Sequence, residues 1–313
     1  MKTTAIAHPN IALIKYWGKQ DEENVLPYND SVSITWEGLH TRTTIEPASS
    51  FSFVLNGIEA SQNDVRKVKD FLSNFTNHIE SVSVASHNTV PTGAGFASSA
   101  SAFAALGVAA NHYFSTGFSE FRLQSIVRRG SGSAIRSLYG GAVTFKRDGQ
   151  AYPFPARLEG VVLIPVLVDG TLKALSSREA MKRSVRTSPF YEPFASMSNA
   201  DAPKMEAALK KGDLETVGRL SEKHAHALHA TMDTARPPIR YLNDTSYRVI
   251  SLVQALRQKG LVAYYTMDAG PNVKILTTRS HASAVLDAVQ RDGFETLGIL
   301  KPAMKGARII DED

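Results

Sequence analysis

The chain has 313 residues, 43% hydrophobic and 21% charged, which is the balance of a chain that buries a core and excludes a disordered or low-complexity one. Its 35 basic and 30 acidic residues leave a net charge of +5, a mild bias toward anionic ligands, with no run of five basic residues to suggest a nucleic-acid tail. It has no cysteine, so disulfides, thiol catalysis and cysteine-bound zinc are excluded; no membrane span or signal peptide is recognised, and a cytoplasmic protein is expected.

The first third reads as strand-rich. Residues 31–36, 41–45 and 81–85 alternate apolar and polar, whereas 64–75 carries a helical stripe of Val65, Val68 and Phe71. Residues 91–99, Pro-Thr-Gly-Ala-Gly-Phe-Ala-Ser-Ser, form a small-residue loop before an Ala-rich helix that runs to Tyr113. A short helix over 121–127 leads into Arg-Arg-Gly-Ser-Gly-Ser-Ala-Ile-Arg at 128–136, and 161–168 reads as a buried strand. The second half is more helical, with periodicity over 203–211, 214–229 and 247–259. A strand over 261–267, a tight turn at 268–272, a return strand over 273–278, a helix over 282–289 and a strand over 295–300 complete the reading. Strands and helices mix without βαβ alternation, so the fold class is α+β, with a composition shift near 170–185.

Five segments have the composition of a site. The loop at 91–99 lacks the lysine of a Walker loop and the spacing of a dinucleotide fingerprint. Even so, Gly93, Gly95, Ala97, Ser98 and Ser99 stand directly before a helix start, whose free N–H groups and positive dipole end suit phosphate. An N-cap with close helix packing explains the same residues. The loop at 128–136 offers Ser131, Ser133 and three arginines; its composition serves no core and points to phosphate or carboxylate recognition, against a solvated surface turn. Lys15, Tyr16, Trp17 and Lys19 fall in one apolar stretch, where a lysine either pairs its charge or presents it to a site. Ser176-Ser-Arg178 reads as a loop. Asp268 sits where an apolar strand enters a turn, a position at which an aspartate usually caps the turn. His224, His226 and His229 lack metal-ligand spacing and read as one buried and two exposed imidazoles on a helix.

In chain order these segments resemble the mevalonate diphosphate decarboxylases of the GHMP kinase superfamily. The resemblance runs through residues 10–19, 27–33, 91–101, 130–141, 176–181, 229–231 and 265–273, and so covers the chain from about residue 8 to residue 278. It implies two lobes around a deep cleft. The N-terminal lobe, residues 1–178, would resemble ribosomal S5 domain 2, and the C-terminal lobe, 179–313, would be ferredoxin-like. It implies ATP- and Mg²⁺-dependent conversion of (R)-5-diphosphomevalonate to isopentenyl diphosphate, ADP, phosphate and CO₂.

Carried over position by position, Asp268 would orient or deprotonate the reacting hydroxyl, with Lys15 fixing charge beside it. Gly93, Ala94, Gly95, Phe96, Ala97, Ser98 and Ser99 would hold ATP phosphates, the two serines with Mg²⁺. Tyr16, Trp17, Lys19, Ser131, Gly132, Ser133 and Arg136 would hold substrate at its diphosphate, and Ser177 and Arg178 its other end, with Asn10 positioning substrate or base. Family members are commonly homodimers. Gly93, Phe96, Ile135 and Ala180 depart from the family's usual residues without removing a polar contact. Relatives that decarboxylate mevalonate 5-phosphate, or superfamily kinases that phosphorylate an alcohol and stop, are the rival enzymatic readings. A nucleotide- or RNA-binding protein is the rival from another class, opposed by basic residues that are dispersed rather than clustered.

Overall fold

The computed structural model describes residues 2–90, 98–171 and 175–310. Threonine, valine and isoleucine dominate the early strands, and five of these strands build one sheet with Arg308–Ile310. Its order is Arg308–Ile310, Thr3–Ala7, Thr41–Pro47, Val82–Asn88, Ser52–Leu55, Ile58–Glu59, with Ser52–Leu55 and Val82–Asn88 running parallel. Its inner face buries Ala5, Ile45, Val82 and Val84 against the helices Gln62–Leu72, Ser98–Tyr113 and Glu120–Gly130. Small residues let those helices approach: a Cβ on Gly107 would lie 2.5 Å from Val127, and one on Gly130 would lie 2.3 Å from Phe103.

A second sheet runs Ala151–Phe154, Ala142–Phe145, Ser31–Glu37, Lys301–Pro302, with Asn10–Ile14 also paired to Ser31–Glu37. Trp36, Leu13, Ile14 and Ile34 of this sheet pack on the helices Tyr191–Lys211 and Leu214–Asp233. The third sheet, Ala263–Met267, Val273–Thr278, Val161–Leu167, Glu295–Thr296, is backed by the helices Asp244–Gln258 and Ala282–Arg291. Val161–Leu167 thus precedes the expected lobe boundary yet pairs with Val273–Thr278 from Val161 to Val166.

Three local expectations need correction. The helix expected from Pro203 begins at Tyr191 and carries Pro203 in its interior. Ser176 is not in a plain loop. It N-caps the helix Ser177–Thr187 through a capping box with Glu179, whose carboxylate accepts from the Ser176 hydroxyl at 2.6 Å. The last strand of the third sheet is Glu295–Thr296 alone, with Leu300 joined by a single bridge to Leu163.

Candidate active site

A cavity of about 920 Å³ opens between the sheets, lined from seven separate parts of the chain. The segment after Asn10–Ile14 supplies one wall. Gly18, at φ +94°, turns the chain so tightly against the start of Tyr191–Lys211 that a Cβ there would lie 1.8 Å from the Tyr191 hydroxyl. That hydroxyl donates to the Trp17 carbonyl at 2.8 Å, and the turn points Tyr16, Trp17 and Lys19 into the cavity.

The floor holds the charged centre. Lys15, 1% exposed, donates from Nζ to Asp268 Oδ1 at 2.8 Å and to the Ala12 carbonyl at 2.7 Å. Lys274 donates to the other oxygen, Oδ2, at 3.1 Å. The Asp268 side chain keeps 23% exposure, toward the cavity it lines. Burial works against its ionisation, but the two ammonium groups outweigh burial and hold the carboxyl well below the usual carboxylate range. Burial also pushes Lys15 down to about 8, with Lys274 and Arg136 adding to the effect and Asp268 opposing it. The turn beneath is pinned from behind. The Asp268 carbonyl accepts from Gly270 N at 2.8 Å and from His229 Nε2 at 3.1 Å, so the imidazole carries its proton on Nε2. Asn272 ties the same turn to the end of Val161–Leu167. Its Oδ1 accepts from Val168 N and Asp169 N at 2.6 and 3.0 Å, and its Nδ2 donates to Asp169 O at 2.9 Å.

Opposite lies a row of hydroxyls. Ser98 and Ser99 are the first described residues of the helix Ser98–Tyr113 and line the cavity. Ser99 Oγ is 3.3 Å from Ser131 Oγ, which is 3.2 Å from Ser133 Oγ. Gly132 is required there, since a Cβ would lie 2.4 Å from the Tyr16 hydroxyl. That hydroxyl and the Trp17 indole N–H are buried with no partner among the described residues. Gly93 through Ala97 lie outside the described residues.

Arg136 is 2% exposed, and burial lowers its guanidinium to about 10. It donates from Nε to Asn10 Oδ1 at 3.0 Å and from a terminal nitrogen to Ser31 Oγ at 2.8 Å. Asn10 in turn donates to the Ser133 carbonyl and the Ser137 hydroxyl at 3.0 and 2.8 Å. Asn10 therefore orders the loop and its arginine. At the mouth stand Ser177, the exposed Arg178 and Lys19, whose ammonium lies 3.4 Å from Glu22. Lys19 is held below its ordinary pKa first by burial and then by Arg178.

Sequence reasoning placed Lys15 and Asp268 in the site but missed Lys274, Lys67, Asp70, Phe71, Asn74 and Phe103, all but Lys274 lining the cavity. Lys274 had a signal: it is a lysine among the apolar residues Val273, Ile275 and Leu276 of a strand, as Lys15 directly follows the apolar run Ile11–Ile14. Arg128 corrects the reading that its loop serves no core. It is buried and donates to the Asn24 carbonyl at 2.7 Å and to the Gly149 carbonyl, which staples two loops. The histidines also differ: His224 and His229 are both buried, and His226 is the exposed one.

Comparison with known proteins finds one family along nearly the whole chain. Residues 7–152 match the diphosphomevalonate decarboxylase-like N-terminal domain, and residues 162–306 match the mevalonate 5-diphosphate decarboxylase C-terminal domain. The human diphosphomevalonate decarboxylase is 35% identical over 91% of this chain and 79% of its own length. The crystal structure of mevalonate diphosphate decarboxylase from Staphylococcus aureus superposes with a TM-score of 0.91 at 34% identity, covering 99% of this chain and 98% of its own. A structure of MDDEF in complex with MVAPP, AMPPCP and magnesium superposes with a TM-score of 0.91 at 35% identity, covering 100% and 99%.

Proposed function

The chain belongs to the mevalonate diphosphate decarboxylase family, and from that premise we propose that it converts (R)-5-diphosphomevalonate and ATP to isopentenyl diphosphate, ADP, phosphate and CO₂. The fold is that of the GHMP kinases, α+β in two lobes. The observation that carries the reading is the ionised, two-point-held carboxylate of Asp268 in the same cavity as the helix start at Ser98 and Ser99. A carboxylate and a phosphate-binding helix terminus facing one space suit phosphoryl transfer to an alcohol.

In this reading Asp268 accepts a hydrogen bond from the 3-hydroxyl and aims its oxygen at the γ-phosphate; as the hydroxyl oxygen bonds to phosphorus, the bond from phosphorus to ADP breaks and the hydroxyl proton passes by way of Asp268 to solvent. Lys15 and Arg136 offset the negative charge gathered there. Once the hydroxyl is phosphorylated, the electron pair of the bond to the carboxylate forms the new double bond. CO₂ leaves on one side and phosphate on the other. Ser98 and Ser99 would hold the nucleotide phosphates, and magnesium with these two serines would neutralise part of their charge. The Tyr16 hydroxyl, Trp17 indole, Lys19, Ser131, Gly132, Ser133 and Arg136 would receive the diphosphate, with Ser177 and Arg178 closing the far end. The unpartnered Tyr16 and Trp17 groups support that assignment, because a buried donor without an acceptor is costly until a ligand arrives. The lobe boundary at 178–179 and the homodimer belong to the same proposal, the latter tested by light scattering for twice the mass of one chain.

The test is CO₂ release by purified protein with Mg²⁺-ATP, on 5-diphosphomevalonate and mevalonate 5-phosphate in parallel. Release from the diphosphate, at least roughly tenfold faster than from the monophosphate, is expected. The reverse preference overturns the substrate, and ADP without CO₂ from either overturns the decarboxylation.

A further inference from the structure

We propose that Lys274 is a positioning residue of the reaction: with Lys15 it grips Asp268 by both carboxylate oxygens, fixing the angle at which the carboxylate meets the reacting hydroxyl. The inference rests on the decarboxylase reading for the identity of that hydroxyl.

Lys274 lies on Val273–Thr278, an inner strand of its sheet, paired on one side to Thr266 and on the other to Pro165. Its neighbours Val273, Ile275 and Leu276 are buried apolar residues, and Lys274 itself is 0% exposed. An ammonium there is costly, and an apolar residue of similar volume would serve stability as well or better. Charge balance does not require it either, since Lys15 already neutralises Asp268 at 2.8 Å. What Lys274 adds is a second point of attachment at 3.1 Å, on the oxygen that Lys15 leaves alone.

A carboxylate held at one oxygen can still swing about its side-chain bonds. One held at both cannot, and its open face is then set by the backbone of two different sheets, through Lys15 after Asn10–Ile14 and Lys274 on Val273–Thr278. The charged and titratable groups that bear on this centre are Lys15, Lys274, Arg136 and Asp268 itself, with His229 held neutral by burial behind the turn. The surplus of positive charge also favours an anionic substrate at this spot.

The experiment compares wild type, K274M and the neutral donor variant K274Q, with D268N and D268N/K274M completing a cycle. Circular dichroism establishes that each is folded. For K274M we expect kcat for CO₂ release to fall about 30- to 300-fold, with KM for ATP within about threefold of wild type. The alkaline limb of kcat/KM should also move to higher pH, because Lys15 loses a like-charged neighbour. K274Q should show the same limb shift with a smaller loss of kcat, and it carries the test if K274M does not fold. In the D268N background, K274M should change the remaining rate by less than about threefold.

Wild-type kcat in K274M, an unmoved limb despite a lowered kcat, or losses that multiply in the cycle would each overturn the proposal. ADP release is read alongside CO₂. A wild type that makes ADP but no CO₂ sinks the decarboxylase reading, and the effect of Lys274 is then scored on phosphoryl transfer.

Discussion

Lys15 and Asp268 form a buried ion pair at 2.8 Å, and in the proposed reaction the charge of Lys15 would set the upper end of the useful pH range. Lys15 is held down to about 8, so in the free enzyme its charge is complete at pH 6.5 and falls away as pH rises through about 8. Asp268 is ionised throughout that range. The profile of kcat/KM should therefore bend downward near pH 8, and K15R, which stays charged, should carry the bend beyond pH 9.5 at a lower plateau. A wild-type profile flat to pH 9.5 would contradict the assignment. Local pattern alone left Lys15 open to a paired charge and Asp268 to a turn cap, and it was the family resemblance that assigned both to a site. The reach of Arg128 to the carbonyls of Asn24 and Gly149 was not legible, because those contacts span residues far apart in the chain.

Gly18 decides how the strand Asn10–Ile14 delivers its following residues to the cavity. Its left-handed backbone and the Tyr191 hydroxyl in the space of a Cβ leave no room for a side chain. G18A should cost about 2–4 kcal/mol in urea unfolding and raise KM for the phosphorylated substrate more than KM for ATP. Equal effects on the two constants would show that the turn does not orient Tyr16, Trp17 and Lys19. At this scale, local signals were the legible ones. The Ala-rich helix Ser98–Tyr113 follows its small-residue loop as expected, and the strand pair around Asp268 appears where its turn residues put it. The capping box at Ser176 and Glu179 was written in the sequence as S-x-x-E and went unread. The early start of Tyr191–Lys211 was hidden by Pro203, which reads as a helix beginning but is carried inside one.

The whole molecule carries a built-in sensitivity to acid. Burial lowers His224 to about 4, against the pull of Asp201, and lowers His229 to about 3, against its bond to the Asp268 carbonyl. The unfolded chain takes up these protons near pH 6.5, whereas the folded chain does so only near 4 and 3. Stability from both imidazoles is thus complete above pH 6.5 and is lost as pH falls through that window, on the order of 3–5 kcal/mol for each. Asp201, held below the carboxylate range by Lys204, Lys223 and His224 despite its burial, extends the loss below pH 3.8. The urea midpoint should fall steadily between pH 6.5 and 4.5; a constant midpoint across that interval would show that neither histidine is buried neutral. The pairing of sheets at this scale was the least legible, because strands as short as Lys301–Pro302 and Arg308–Ile310 leave no periodicity to read.

The pairing of Arg308–Ile310 with Thr3–Ala7 bears on how the protein is made. A ribosome adding roughly 5–20 residues per second needs about 15–60 s between the two segments. For that interval Thr3–Ala7 is available to Thr41–Pro47 on one side and open on the other. The nascent chain therefore emerges with an unclosed strand edge that a neighbouring nascent chain could occupy. Closure waits until residues 308–310 have been made, so a chain stalled before them would keep that edge open.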